Sequence, residues 1–389
     1  MLKKENFIFL LFSVISMLIG IVSTYLLSNY FTVEDFGKVQ LLLTFVGVFS
    51  IFGLSGFDVV IQKQIYNKDD GFVYYLLKNI MPLSLMLLTL VVFIILLCIE
   101  EDYYLILSAF LISSFNLFDR TSAILNSKLK FKIIRYIELI TKVVFFGVVV
   151  VSVYIGVNAP NYIFIYTTVG MSIVLFRIIY SKSLLTIKSK PNINYKYLIS
   201  GGISTTFSSS FTVFTNYSEK LVLGYLDTSQ LAIFTIAQLF PRVLKDNIKI
   251  VLSPTLNTWA SRGFKYYKTM IRKNEAILWG VGILFYIILY FMVDFFISNF
   301  FVKYTDSILI SQLLSITIIF KFVESVKMSS MALSDHTPVF NKINNISNTL
   351  KILLVTFLVN IYGIYGAVAT ILIVEVVRFL FMTKEFNRL

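Results

Sequence analysis

Apolar runs of similar length, separated by short polar clusters, dominate the chain. A helix needs about 20 apolar residues to cross a hydrocarbon core. Runs of that order lie near residues 7–27, 38–57, 79–98, 103–118, 133–155, 161–180, 199–222, 230–253, 275–296, 307–326, 343–361 and 363–382. The pattern predicts an all-α integral membrane protein with about 12 transmembrane helices. The first run, NFIFLLFSVISMLIGIVSTYLL, follows Met1-Leu2-Lys3-Lys4. It starts like a secretory leader, but it is too long and no small-x-small cleavage site follows, so it is read as a retained first helix.

Composition agrees with the pattern. Of 389 residues, 57% are hydrophobic and 14% charged, against roughly 25% charged in a soluble chain. Mean hydropathy is +0.83. A formal net charge of +13 would suit nucleic acid, but the cations flank the apolar runs, and no nucleic-acid partner is expected. With the N-terminus in the cytoplasm, 24 of the 34 Lys and Arg residues fall in inside loops, while only Lys38 and Lys303 fall outside. This asymmetry sets a multi-pass topology with both termini cytoplasmic. The loop acids lean outward, at Glu34, Asp35, Glu100, Glu101, Asp102, Asp227 and Asp306. Inside loops reach about 15–20 residues and outside loops are shorter, which leaves no room for a catalytic domain on a loop platform. A single cysteine, Cys98, excludes an internal disulfide or a cysteine-based metal cluster, and a single histidine, His336, excludes a multi-histidine site.

The stretch SKSLLTIKSKPNINYK, residues 181–196, is the candidate boundary. It divides an N-terminal six-helix lobe (1–182) from a C-terminal one (199–389), with a cytoplasmic linker at 183–198. The halves share a weak pattern: NYFTVEDFGKVQLLLTF (29–45) aligns with GYLDTSQLAIFTIAQLF (224–240) at an offset of 195 residues. Each has a polar turn after the first helix of its half, then a small residue (Gly37, Ala232), then a new apolar helix. An even number of helices per half gives a parallel repeat about an axis along the membrane normal, with a cleft between the bundles. Chance similarity of apolar helices is the alternative.

Three segments carry a resemblance to a known family. They are FTVEDFGKVQLLLTFVGVFSIFGLSGFD (31–58), EKLVLGYLDTSQLAIFTIAQLF (219–240) and NIYGIYGAVAT (360–370). In order and spacing the chain resembles the polysaccharide flippases of the multidrug/oligosaccharidyl-lipid/polysaccharide exporter superfamily. It departs from them before the eighth helix, where Gln230-Leu231-Ala232 replaces the more usual Val-Gly-type pair. The resemblance implies two six-helix lobes around a central cavity, working by alternating access. It implies a substrate, an undecaprenyl-diphosphate-linked oligosaccharide, moved from the inner to the outer leaflet of the bacterial cytoplasmic membrane for O-antigen or capsule synthesis. A polysaccharide polymerase and glycosyltransferases would be partners.

Eight cations fall within spans: Lys142, Lys220, Arg242, Lys245, Lys249, Lys321, Lys351 and Arg378. A charge at the bilayer centre costs about 3 kcal/mol or more. On the eighth helix Gln238, Arg242, Lys245 and Lys249 fall within about 60° of one another at 100° per residue. Asp246 lies at the edge of this stripe, within i,i+4 reach of Arg242. Pro241 removes one backbone bond there. Lys249, and also Lys245, have the alternative of snorkelling to the interface. On the seventh helix Ser204, Ser208, Thr212, Thr215 and Glu219 share an arc of about 80°. Such hydroxyls suit either sugar binding or ordinary helix packing; Ser13, Ser16, Gly20, Ser23 and Thr24 on the first helix suit packing. Elsewhere Arg135, Glu138 and Lys142 follow one another on the fifth helix, and Lys321 and Glu324 sit on the tenth. Glu375 and Arg378, three apart on the twelfth, are expected to neutralise each other. Lys351 follows NKINNISN and has no partner in its own helix.

A dianionic diphosphate needs fixed cations to cross lipid. Arg offers a planar donor fork and Lys a point charge. Arg242, Lys245 and Lys351 are therefore the candidate diphosphate ligands, with Gln238, Ser204, Ser208, Thr212 and Thr215 lining a cavity. There is no Gly-rich phosphate loop for ATP hydrolysis, so no cofactor or metal is expected. Coupling to an H+ or Na+ gradient would need a carboxylate, and Glu138, Glu219, Asp246 and Glu324 are candidates. The competing readings are a small-molecule exporter of the same superfamily and, from another class, a polysaccharide polymerase or ligase. The first would show an anionic cavity, yet span cations (8) outnumber span acids (7). The second would call for a long outside loop.

Overall fold

The computed structural model describes residues 2–66, 71–98, 103–128, 130–185, 195–260, 263–332 and 337–389. These residues are helical throughout apart from short turns. Two compact units divide the chain, Met1–Tyr217 and Ser218–Leu389. The division falls inside a helix rather than in the expected linker, of which residues 186–194 lie outside those described, as does His336.

The first unit holds α1 (Leu2–Tyr30), α2 (Val33–Phe49), α3 (Gly56–Tyr66), α4 (Gly71–Tyr75), α5 (Met81–Cys98), α6 (Tyr103–Phe118), α7 (Thr121–Ser127), α8 (Phe131–Ile155) and α9 (Ala159–Ser183). It also holds most of α10 (Tyr195–Leu226), whose last turns begin the second unit. The second unit continues with α11 (Thr228–Ala260), α12 (Phe264–Phe300), α13 (Ser307–Ser315), α14 (Thr317–Ala332), α15 (Thr337–Leu354) and α16 (Asn360–Arg388). The apolar runs fall on helix, with breaks at Leu54 and Ser55 in the second and at Ile316 in the tenth. Among the described residues seven stretches are long and apolar enough to span a membrane, Gly71–Leu97, Phe264–Phe300 and Val339–Arg388 being three of them. The last is broken at Gly363 (φ 54°, ψ −130°), which separates the eleventh run from the twelfth. Neither α10 nor α11 is among the seven. Hydroxyls and glycines thin the apolar content of α10, and Arg242, Lys245, Asp246 and Lys249 that of α11. Pro241 does not end α11, which runs on to Ala260.

Helices in lipid turn apolar side chains outward. On α5 Leu83, Met86, Leu87, Leu90, Phe93, Ile94 and Leu97 are all exposed at helical spacing, while Ser84, Leu88 and Val92 are buried. The first unit packs a core at one end from Phe57, Ile61, Phe72, Leu76, Met81, Leu117 and Ile124. The second packs one from Tyr267, Ile271, Val323, Val326, Ile343, Met382 and Phe386.

The two units repeat each other. Helix pairs α2–α6, α2–α9, α5–α6, α6–α9 and α8–α9 have counterparts in α11–α13, α11–α16, α12–α14, α14–α16 and α15–α16. Thr32 accepts from the Asp35 amide at 3.1 Å and caps α2. Asp227, 195 residues on, accepts from the Ser229 amide at 2.7 Å and caps α11. Burial then runs in step. Phe36, Gly37, Val39, Leu41, Leu42 and Phe45 are buried, and so are their partners Leu231, Ala232, Phe234, Ile236, Ala237 and Phe240. Position 38 and position 233 are half-buried alike, as are 40 and 235, and 43 and 238. Chance similarity does not produce matched caps followed by a matched register. The end of the fifth repeat helix also corresponds, with Gly156 at φ 81° and Gly363 at φ 54°, conformations that glycine adopts without a Cβ penalty. Tyr30 donates to Val157 O at 3.1 Å in one unit, and Ile364 N donates to Gln230 Oε1 at 3.1 Å in the other. Each bond ties the first interhelical turn of a unit to its last, and Gln230, the departure noted in the sequence, supplies the second of them.

Candidate functional site

The charged spans concentrate in the second unit. Arg242 projects from α11 with 56% of its side chain exposed, and Asp246 lies 3.7 Å away, itself 70% exposed. The expected i,i+4 pair is thus loose and leaves the guanidinium accessible. Lys220, near the end of α10, is buried and lies in the electrostatic field of Arg242 and of Glu219. Glu219 is buried and accepts Lys351 at 2.8 Å. Lys351 therefore has a partner, but on another helix, as its own helix offers none.

One stripe position further along α11, Lys245 is in a different setting. It contacts Glu375 of α16 at 3.2 Å. Lys321 of α14 lies 4.0 Å from the other oxygen of Glu375 and 3.1 Å from Glu324. Arg378 contacts Glu324 at 3.1 Å and donates to Asn344 Oδ1 at 3.3 Å. Glu375 and Arg378 were expected to neutralise each other along one helix. Instead each pairs across the bundle, because neighbouring helices bring charges nearer than the i,i+3 geometry does. Glu324 and Lys321 do pair as their spacing suggests.

The remaining expectations distribute as follows. Gln238 is half-buried on α11, and the Lys249 side chain lies outside the described residues. Ser204 is exposed and Ser208 half-buried, both in the first unit. Thr212 bonds back to Ser208 O at 3.2 Å. Thr215 is buried and bonds to Phe211 O at 3.0 Å, the behaviour of a packing hydroxyl. Close approach dominates this part of α10: a Cβ on Gly56 would meet the Thr206 amide nitrogen at 2.2 Å. Glu138 pairs with Arg135 at 2.5 Å on the exposed start of α8 in the first unit. Ser23 and Thr24 bond back to Ile19 O and Gly20 O within α1, at 2.8 and 2.9 Å. Among the described residues no group of His, Cys, Asp and Glu could hold a metal.

Sequence reasoning passed over two buried cations. Arg120, assigned to a loop, is buried. It donates to Asp58 at 2.9 Å, to Leu117 O at 3.1 Å and to Gly53 O. Lys327, also assigned to a loop, is buried on α14. It contacts Glu275 at 2.7 Å and lies over the rings of Phe379 and Phe386, at 5.8 and 5.7 Å. At the other end of α11 a cavity of about 500 Å³ opens among Gln230, Ile233, Thr305, Asp306, Gln312 and Tyr365.

The described residues form a helical membrane protein whose halves repeat each other, with buried and exposed cations on its helices. Solved structures share the fold. A lipid II flippase MurJ in an inward closed conformation superposes with a TM-score of 0.73 at 18% identity, over 98% of this chain and 87% of that one. An inward-facing multidrug resistance MATE family transporter of the MOP superfamily gives 0.62 at 13% identity, over 96% and 95%. A MOP superfamily transporter from Pyrococcus furiosus, described for the reverse polarity of its binding pocket, gives 0.57 at 12%, over 97% and 94%. No curated protein matches. Residues 2–256 match the polysaccharide biosynthesis protein family, and the chain belongs to that family.

Proposed function

We propose that the protein is a flippase that carries undecaprenyl-diphosphate-linked oligosaccharide from the inner to the outer leaflet of the bacterial cytoplasmic membrane by alternating access, supplying O-antigen or capsule synthesis. The observation that carries this reading is Arg242, a cation with over half its side chain exposed on a membrane helix of a polysaccharide biosynthesis family member. Such a charge is tolerated where it meets water or an anion, and a guanidinium fork fits phosphate oxygens. Lys245 and Lys351 complete the anion-binding set, with Lys220 adding field from below. The polyprenyl tail stays in lipid, so the protein has only to shield the diphosphate and the sugars. Both termini lie in the cytoplasm, where glycosyltransferases deliver the substrate; a polymerase takes it on the far side. Transport draws on an H+ or Na+ gradient, with Glu219 and Glu324 as the buried carboxylates among the four candidates.

Reconstitution in liposomes with a short undecaprenyl-diphosphate-linked glycan tests this. Wild-type protein should move the glycan to the opposite leaflet, and Arg242→Gln/Lys245→Gln should slow that movement about tenfold or more, the loss expected from one or two charge-assisted contacts. Unchanged movement in the double variant would discard the site. No movement by wild type, with or without an imposed gradient, would turn attention to small anions.

A further inference from the structure

Five charges interlock on α11, α14 and α16: Lys245, Lys321, Glu324, Glu375 and Arg378. Three are positive and two negative, so the network carries one excess positive charge in a low-dielectric interior, where an uncompensated charge is costly. Its partition is informative. Glu324 is served twice at the same oxygen, by Lys321 and by Arg378, each at 3.1 Å. Glu375 holds Lys245 with Oε1, while its Oε2 is buried without a hydrogen-bond partner and has Lys321 4.0 Å away. Lys321 can therefore leave Glu324 to Arg378 and close on Glu375 by moving about 1 Å, the difference between that separation and an ordinary charged hydrogen bond. Once it does, Lys321 and Arg378 balance Glu324 and Glu375 in charge, and Lys245 becomes the excess cation that another anion can draw away.

Resting on the phosphate reading above, we infer that Glu375 is a resident counter-anion. It holds Lys245 while the site is empty and is handed to Lys321 when a phosphate oxygen takes Lys245. The excess positive charge of the empty network is the charge that an anion completes. Glu375 and Lys321 thus set anion affinity without touching the substrate, acting as positioning residues with opposite signs. Lys245 lies three residues from Arg242 on the same stripe, so the two phosphoryl groups of a diphosphate can engage one cation each, where a monophosphate has a single group to share between them.

Binding of undecaprenyl diphosphate and undecaprenyl monophosphate to detergent-solubilised full-length protein tests the exchange. Glu375→Gln removes the competitor and should tighten diphosphate binding about tenfold, within the range of ordinary coupling energies. Lys321→Met leaves two positive and two negative charges with Lys245 locked in, and should weaken binding by a similar factor. Glu375→Asp, which keeps the charge, should bind like wild type and reports on folding, alongside the melting temperature of each variant. Wild type should also prefer the diphosphate to the monophosphate. Changes of the same sign in Glu375→Gln and Lys321→Met, or no change in Glu375→Gln, would overturn the exchange. Opposite shifts without movement of the lipid-linked glycan in liposomes would uphold the counter-anion and sink the flippase reading. Glycan movement without those shifts would do the reverse. Failure of wild type and Glu375→Gln alike to bind either lipid would overturn both.

Discussion

Arg120 shows what a single buried charge can hold together. Its guanidinium joins the end of α2's extension at Gly53, α3 at Asp58 and α6 at Leu117, and it lies 3.2 Å from Met81 Sδ on α5. Removing one partner of a buried pair costs roughly 3–5 kcal/mol, because the other is left uncompensated. Asp58 is partly exposed, so Arg120→Ala should destabilise by about 3 kcal/mol, the low end of that range. A lowered melting temperature in detergent, not rescued by Arg120→Lys, is the expected result. A lysine cannot present three donors in one plane. The sequence offers the charge of Arg120 and hides its role, since Asp58 is 62 residues away. The same distance in sequence hides the partners of Lys245 and Lys351. Helical periodicity reports which residues share a face of one helix; it says nothing about which face of another helix meets them. Lys321 with Glu324 was legible because both lie on one helix, and Glu375 with Arg378 was misread for the same reason.

At the scale of the element, turns and caps were easier to read than charges. The polar clusters around Thr32 and Asp227 mark helix starts through side-chain chemistry that acts over two or three residues, and the structure places a cap at each. Replacing such a cap by alanine costs about 1 kcal/mol. Thr32→Ala and Asp227→Ala should therefore destabilise to a similar degree, measured as paired melting shifts against wild type. Gly363→Ala should cost more, about 1–3 kcal/mol for the strained backbone, because the added Cβ would also lie 2.5 Å from Gln230 Oε1. Gln230→Ala should relieve that crowding but lose the bond to Ile364 N, so the double variant should recover only part of the loss. The extent of α10 was less legible. Its hydroxyls suited either sugar binding or helix packing, and Thr212 and Thr215 bond the helix's own carbonyls.

For the whole molecule, apolar runs and loop charges carry most of the architecture, because lipid admits few alternatives to a bundle of helices. The runs fall on helix with breaks only at Leu54, Ser55 and Ile316, and α10 and α11, which are not among the seven apolar stretches, carry Glu219, Lys220, Arg242 and Lys245. The loop cations predict an orientation with both termini in the cytoplasm. Reporter fusions after residue 188 and at the C-terminus should read as cytoplasmic and one after Lys303 as external. The reverse pattern at either cytoplasmic position would invert the direction of transport argued here. The division at Tyr217 and Ser218 was not visible in composition. It depends on which neighbours α10 meets along its length, and the polar stretch before that helix marks only where the chain turns.

The matched burial of 35–43 and 230–238 has a further consequence. Over these positions the halves share almost no residues, yet each site keeps its depth. What descends from one half to the other is a rhythm of depths, which many spellings satisfy. A chain under that constraint can drift in letters without drifting in form. Its likeness is then faint when residues are compared one by one and plain when their depths are laid side by side.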